Sequence, residues 1–102
     1  MREWDILASS IAMPDFINVV VIGNDRFSRL TGWMLVAPAL DPDDDIEIKW
    51  PTRIHVDELD QTFALERMRG VNASLLGDVV GRLSPPQCYR ARRALLEIIA
   101  RT

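Results

Sequence analysis

The chain has 102 residues, with 12 basic and 15 acidic side chains for a net charge of −3, a length that holds one domain over residues 1–102 and excludes two. At 48% hydrophobic and 26% charged it can build a core, which excludes a disordered chain, a collagen or a coiled coil. Its longest apolar runs, residues 17–23 with Asn18 inside and residues 33–40, fall well short of the roughly 20 residues that cross a bilayer, so no membrane association is expected.

Met1 to Asp5 holds two acids and no apolar core of the kind a signal peptide needs. Cys88 is the single cysteine, without a second thiol for a disulfide or a metal site. Together they point to a reducing cytoplasm. Charge is uneven: residues 1–40 carry −1, residues 41–60 carry −6 and residues 61–102 carry +4. The acidic total argues against nucleic-acid binding over the whole surface, and leaves a local basic site open.

In chain order, residues 18–22 are dominated by β-branched residues, apolar on both faces, and Gly23-Asn24-Asp25 follows; this predicts a strand buried in a sheet and closed by a turn. Thr31-Gly32 is a second turn signal. Trp33 to Ala37 then reads as another buried strand, stopped by Pro38 and the acidic run Asp41–Asp45, and the pair should be antiparallel. Ile46–Trp50 and Ile54–Val56 alternate as half-exposed strands near a sheet edge. Phe63–Arg69 alternates too, which places Phe63 and Leu65 on one face and Glu66 on the other. Val71–Leu76 suggests one helical turn, followed by a last strand over residues 78–83. Ser84, Pro85 and Gln87 form a capping box with proline at the first helical position, so a helix begins there. Its apolar stripe is Cys88, Ala91, Leu95, Ile98 and Ile99. The expected class is mainly β, α+β, with a C-terminal α-helix.

Phosphate-binding, dinucleotide, nucleophile-elbow and zincin motifs are all missing. The Asp41–Asp45 run lacks the glycine and distant glutamate of a calcium loop and reads as solvated; no metal site or cofactor is expected. His55, the only histidine, is a candidate acid or base near neutral pH, though its place on an alternating strand reads first as that of an exposed strand residue. The densest cluster is Glu66-Arg67-Met68-Arg69. A carboxylate beside guanidinium groups could take a proton from an RNA 2′-hydroxyl and stabilise the charged phosphorane. On a regular strand, however, Glu66 and Arg67 point to opposite faces, and from residue types alone a surface pair on an edge strand is the better explanation.

Three blocks in order resemble the MazF/PemK/Kid toxins: residues 19–27 with Thr31-Gly32 and residues 34–38, then residues 64–76, then Val80-Gly81-Arg82-Leu83-Ser84 before the terminal helix. The first is similar to that family's strand, Ser-Asn-Asp turn and strand ending in Pro. The second is similar to its Leu-Asp-Gln-Ile/Val-Arg-Thr-Val-Asp-Lys-Ser-Arg-Leu segment, the third to its Val-Gly-Arg-Leu-Ser ending. The resemblance implies a small SH3-like barrel, a homodimer, metal-independent cleavage of single-stranded RNA such as mRNA, and control by a cognate antitoxin. By charge, Glu66 matches the aspartate of the family pattern, and Arg69 its following arginine. Together with the residue-type reading, the catalytic candidates are Glu66, Arg67, Arg69 and His55, and the candidate RNA contacts are Asn24, Arg26, Arg29 and Arg53. The chain departs from the pattern where the family's Arg-Pro falls at Ile17-Asn18, where its hydroxyl falls at Ala39-Leu40, and between Ser9 and Phe16, where no basic residue occurs. Two alternatives stay open: a CcdB-like toxin that poisons gyrase without chemistry, and an inactive relative that only binds a partner. Trp33, Trp50 and Leu96 add apolar surface that a second copy could cover.

Overall fold

The computed structural model describes residues 3–9, 18–23, 25–40 and 52–99. Asn24, the strand expected over 46–50, the acidic run and the 10–17 connection lie outside these residues.

β2 (Asn18–Val21) is the middle strand of a five-stranded antiparallel sheet in the order β6-β3-β2-β1-β7. Its neighbours are β1 (Asp5–Ser9) and β3 (Trp33–Pro38), with Ile6 opposite Val20 and Ala37 opposite Val20 on the other side. The apolar, two-faced pattern of β2 follows from that position. Val20 belongs to one buried cluster with Trp4, Ile6, Phe63, Leu65 and Ala91, whereas Val19 and Val21 belong to another with Leu7, Met34 and Val36. Burying one such valine contributes roughly 1.5–3 kcal/mol, so a strand buried on both sides anchors the fold.

The connection between β2 and β3 is a helix, α1 (Asp25–Thr31), and not the simple turn expected. Thr31-Gly32 marks its end: Gly32 takes φ +76°, the left-handed conformation that closes helices. The Trp33 amide then donates to the Thr31 hydroxyl at 3.1 Å.

β4 (Arg53–Val56) and β5 (Gln61–Ala64) form a separate two-stranded ladder, joined through a 3₁₀ turn at Asp57–Leu59. The expected long strand over 63–69 is broken. Thr62, Phe63, Ala64 and Leu65 are buried in succession, so β5 is covered on both faces and is not the half-exposed strand that the alternation suggests. The chain turns there through a 3₁₀ segment, Leu65–Arg67, and re-enters the large sheet as β6 (Arg69–Asn72) beside β3. The helical turn expected over 71–76 is shorter, Ala73–Leu75, and follows β6. β7 (Leu76–Arg82) pairs with β1 through two register shifts. Gly77 is required at the bulge, since a Cβ there would stand 2.8 Å from the Ala8 carbonyl oxygen.

α2 (Pro85–Ile99) starts where the capping box places it. The Ser84 amide donates to Gln87 Oε1 at 2.8 Å, and the Gln87 amide to Ser84 Oγ at 3.4 Å. Its most buried residues are Ala91 and Ala94, with Cys88, Leu95 and Ile98 packed beside them; Ala94 was missing from the predicted stripe. The class is α+β, mostly antiparallel sheet with a C-terminal helix. Among the described residues, the isolated Ala39–Phe63 bridge links the two sheets, and no ladder joins the outer strands β6 and β7 into a closed barrel. No described helix is long and apolar enough to cross a membrane.

Candidate functional site

The break in the 63–69 strand creates the site. Buried Leu65 plugs the core, and its amide donates to the Thr52 carbonyl at 3.0 Å. That bond draws the 3₁₀ turn against the start of β4, so residues 52–53 and 66–67 meet although 13 or 14 positions separate them. Glu66 lies at the centre. Its Oε1 accepts from the Thr52 hydroxyl at 2.8 Å, and its Oε2 stands 3.5 Å from Arg53 Nη2 and 3.9 Å from Arg67 Nε. The 3₁₀ backbone thus puts the Glu66 and Arg67 side chains together, as a regular strand would not.

Burial grades the three charges. The Arg53 side chain is 9% exposed, Glu66 20% and Arg67 50%. Arg53 is therefore an inner cation whose ion pair with Glu66 offsets the cost of removing it from water. Arg67, half in solvent, can reach an outside anion with its guanidinium fork. The assembly is a carboxylate flanked by two cations and a hydroxyl, open on one side.

The other sequence candidates stand elsewhere. His55 shares a face of β4 with Arg53, two residues or roughly 7 Å along the strand. Its Nδ1 lies 2.9 Å from the Thr62 hydroxyl, and its Nε2 3.3 Å and 3.7 Å from carboxylate oxygens of Asp57 and Asp60. Arg69 is exposed at the start of β6, opposite Val36, and makes no ion pair with Glu66. Arg26 and Arg29 are exposed on α1. Thr52 was missed by sequence reasoning: a threonine beside Pro51 carries no local signal, and only the fold brings it to Glu66. Among the described residues no three His, Cys, Asp or Glu side chains stand together as metal ligands would.

The elements and this corner define an α+β protein built on a five-stranded antiparallel sheet and a two-stranded ladder, with a mixed-charge site where the chain passes between the two. The particular fold is that of the MazF toxins. A mycobacterial endoribonuclease in complex with its cognate antitoxin superposes with a TM-score of 0.81 at 13% identity, covering 100% of this chain and 97% of the other. The Mycobacterium tuberculosis toxin MazF-mt6 gives 0.75 at 14%, covering 96% and 98%. A MazE-MazF structure from Deinococcus radiodurans gives 0.76 at 10%, covering 100% and 98%. No protein-family model matches the chain, and no curated protein does. At these identities the likeness is one of fold.

Proposed function

We propose that this chain is the toxin of a toxin–antitoxin pair, a single toxin domain that cleaves single-stranded RNA as an endoribonuclease without a metal. The observation that carries the reading is the Glu66 carboxylate set between Arg53 and Arg67 on the fold of named endoribonuclease toxins. Glu66 takes the proton of a 2′-hydroxyl, whose oxygen attacks the adjacent phosphorus. The bond from phosphorus to the 5′-oxygen breaks, that oxygen takes a proton from solvent, and a 2′,3′-cyclic phosphate remains. Arg67 stabilises the charge that builds on the phosphorane. Arg69, exposed two residues further on, holds the RNA backbone with Arg26 and Arg29.

Antitoxin binding and a cytoplasmic setting belong to the same reading. A MazE-MazF complex among the structural neighbours supports the first, and the lone Cys88 supports the second. Homodimerisation is supported by the outward apolar side chains Leu30, Trp33 and Leu96, which are more than half exposed. Light scattering at micromolar concentration is expected to give twice the chain mass.

Induced expression without the antitoxin tests the function. The expected outcome is growth arrest with mRNA cut at discrete positions by primer extension, both abolished by Glu66→Gln. Arrest that survives Glu66→Gln and is relieved by a gyrase mutation would replace the ribonuclease reading with the gyrase one. Normal growth with abundant folded protein would leave only partner binding.

A further inference from the structure

We propose that Thr52 is the positioning residue that orients the Glu66 carboxylate for proton abstraction, an inference that rests on the ribonuclease reading above. Thr52 is tied to the Glu66 turn twice. Its carbonyl accepts from the Leu65 amide at 3.0 Å, and its hydroxyl donates to Glu66 Oε1 at 2.8 Å. The backbone bond sets the distance between the two segments, so the hydroxyl is left to set the rotation of the carboxylate.

That rotation matters because the two carboxylate oxygens are held differently. A charge-assisted N–H···O bond is about 2.7–2.9 Å long, whereas Oε2 is 3.5 Å from Arg53 and 3.9 Å from Arg67. Oε1 is thus the more tightly held oxygen, and Oε2, which accepts one long hydrogen bond from Arg53, keeps a further lone pair for an incoming 2′-hydroxyl. An ionised carboxylate only accepts hydrogen bonds, so Thr52 must be the donor. Without that donor, a glutamate on a turn is free to rotate into the two guanidinium groups. A carboxylate held by both oxygens in short bonds to guanidinium groups is a weaker and worse-placed base. Thr52 therefore keeps Glu66 out of a short two-oxygen salt bridge while leaving Arg67, half in solvent, close enough to meet phosphate.

The test uses the full chain with a long mixed-sequence single-stranded RNA, comparing wild type, Thr52→Val, Thr52→Ser, Thr52→Ala and Glu66→Gln. Valine removes the hydroxyl and keeps nearly the same shape, and alanine supplies a second hydroxyl-free variant should valine fail to fold. We expect kcat to fall about 10- to 100-fold in the hydroxyl-free variants, the scale of a misplaced reacting group, with KM within about twofold. Thr52→Ser, which keeps the donor, should stay within about threefold of wild type, and the hydroxyl-free variants, which lose one charge-assisted hydrogen bond, should still be folded at the assay temperature. Wild-type kcat in Thr52→Val or Thr52→Ala, with Glu66→Gln inactive, would overturn the positioning role and leave the ribonuclease reading standing. So would a loss that serine shares, or one fully accounted for by the fraction of unfolded protein at the assay temperature. An inactive wild type, or an active Glu66→Gln, would instead overturn the reading on which the proposal rests.

Discussion

The two ends of β4 hold the same kinds of groups in opposite circumstances. At its start, Arg53 meets Glu66, the pair 9% and 20% exposed; near its end, His55 meets Asp57 and Asp60, carboxylates that are 94% and 97% exposed. Distances at the two ends are similar, 3.5 Å against 3.3 Å and 3.7 Å. Water makes the difference. A pair in solvent is screened and contributes little, whereas a pair withdrawn from water interacts strongly and must be satisfied locally. Chemistry is thus expected first where the chain has taken on the cost of burying charge, and less at the exposed trio at the other end.

The comparison breaks most visibly if activity fails to separate the two ends. Glu66→Gln is expected to lower RNA cleavage about 100-fold or more, the loss typical of a general base. His55→Gln is expected to change it by less than about threefold in the same gel assay. A large loss from His55→Gln would assign the histidine a part in proton transfer.

Arg53→Ala carries the next largest effect, on stability. Removing one member of a buried ion pair costs about 3–5 kcal/mol and of a surface pair about 0–1. The intermediate burial of Glu66 places the expected loss at about 2–3 kcal/mol, read by urea unfolding. A loss below about 0.5 kcal/mol would mean that Arg53 behaves as a surface cation despite its burial.

Gln87 sharpens the comparison at the far end. Besides accepting from the Ser84 amide, its side chain donates to the His55 carbonyl at 3.0 Å, so α2 is pinned to β4 beside the histidine. Gln87→Ala should cost about 1 kcal/mol and leave cleavage within about twofold. The smallest effect belongs to Asp57→Asn, expected to move stability by less than about 0.5 kcal/mol at moderate salt.

The same contrast explains what was legible in the amino-acid sequence. β2, β3 and α2 announce themselves because their signals are local: a β-branched run, a turn dipeptide, a capping box. α1 was hidden because Asp25–Thr31 lies between two turn signals and carries no apolar stripe. The 63–69 segment alternates in hydropathy, yet the chain leaves β5 at Ala64, turns through Leu65–Arg67 and enters β6 at Arg69, so it crosses between ladders there. Glu66 and Arg67 were readable as residue types, and their meeting was not, because it depends on that crossing. Thr52 and Arg53 join them through a backbone bond across 13 residues that no periodicity encodes. Trp4 was equally silent: it is 2% exposed with φ +70°, its carbonyl accepting from Leu83 and its amide donating to Val21.

The most direct test of a Glu66-centred, metal-independent ribonuclease is the chemistry of the ends it leaves. Purified protein is mixed with long single-stranded RNA in excess EDTA, and the fragments are examined by mass spectrometry. The account predicts cleavage that yields 2′,3′-cyclic phosphate and 5′-hydroxyl termini, and intact RNA with Glu66→Gln. Cleavage only after magnesium is restored, or fragments ending in 3′-hydroxyl and 5′-phosphate, would contradict it, because the 2′-oxygen would then not be the nucleophile.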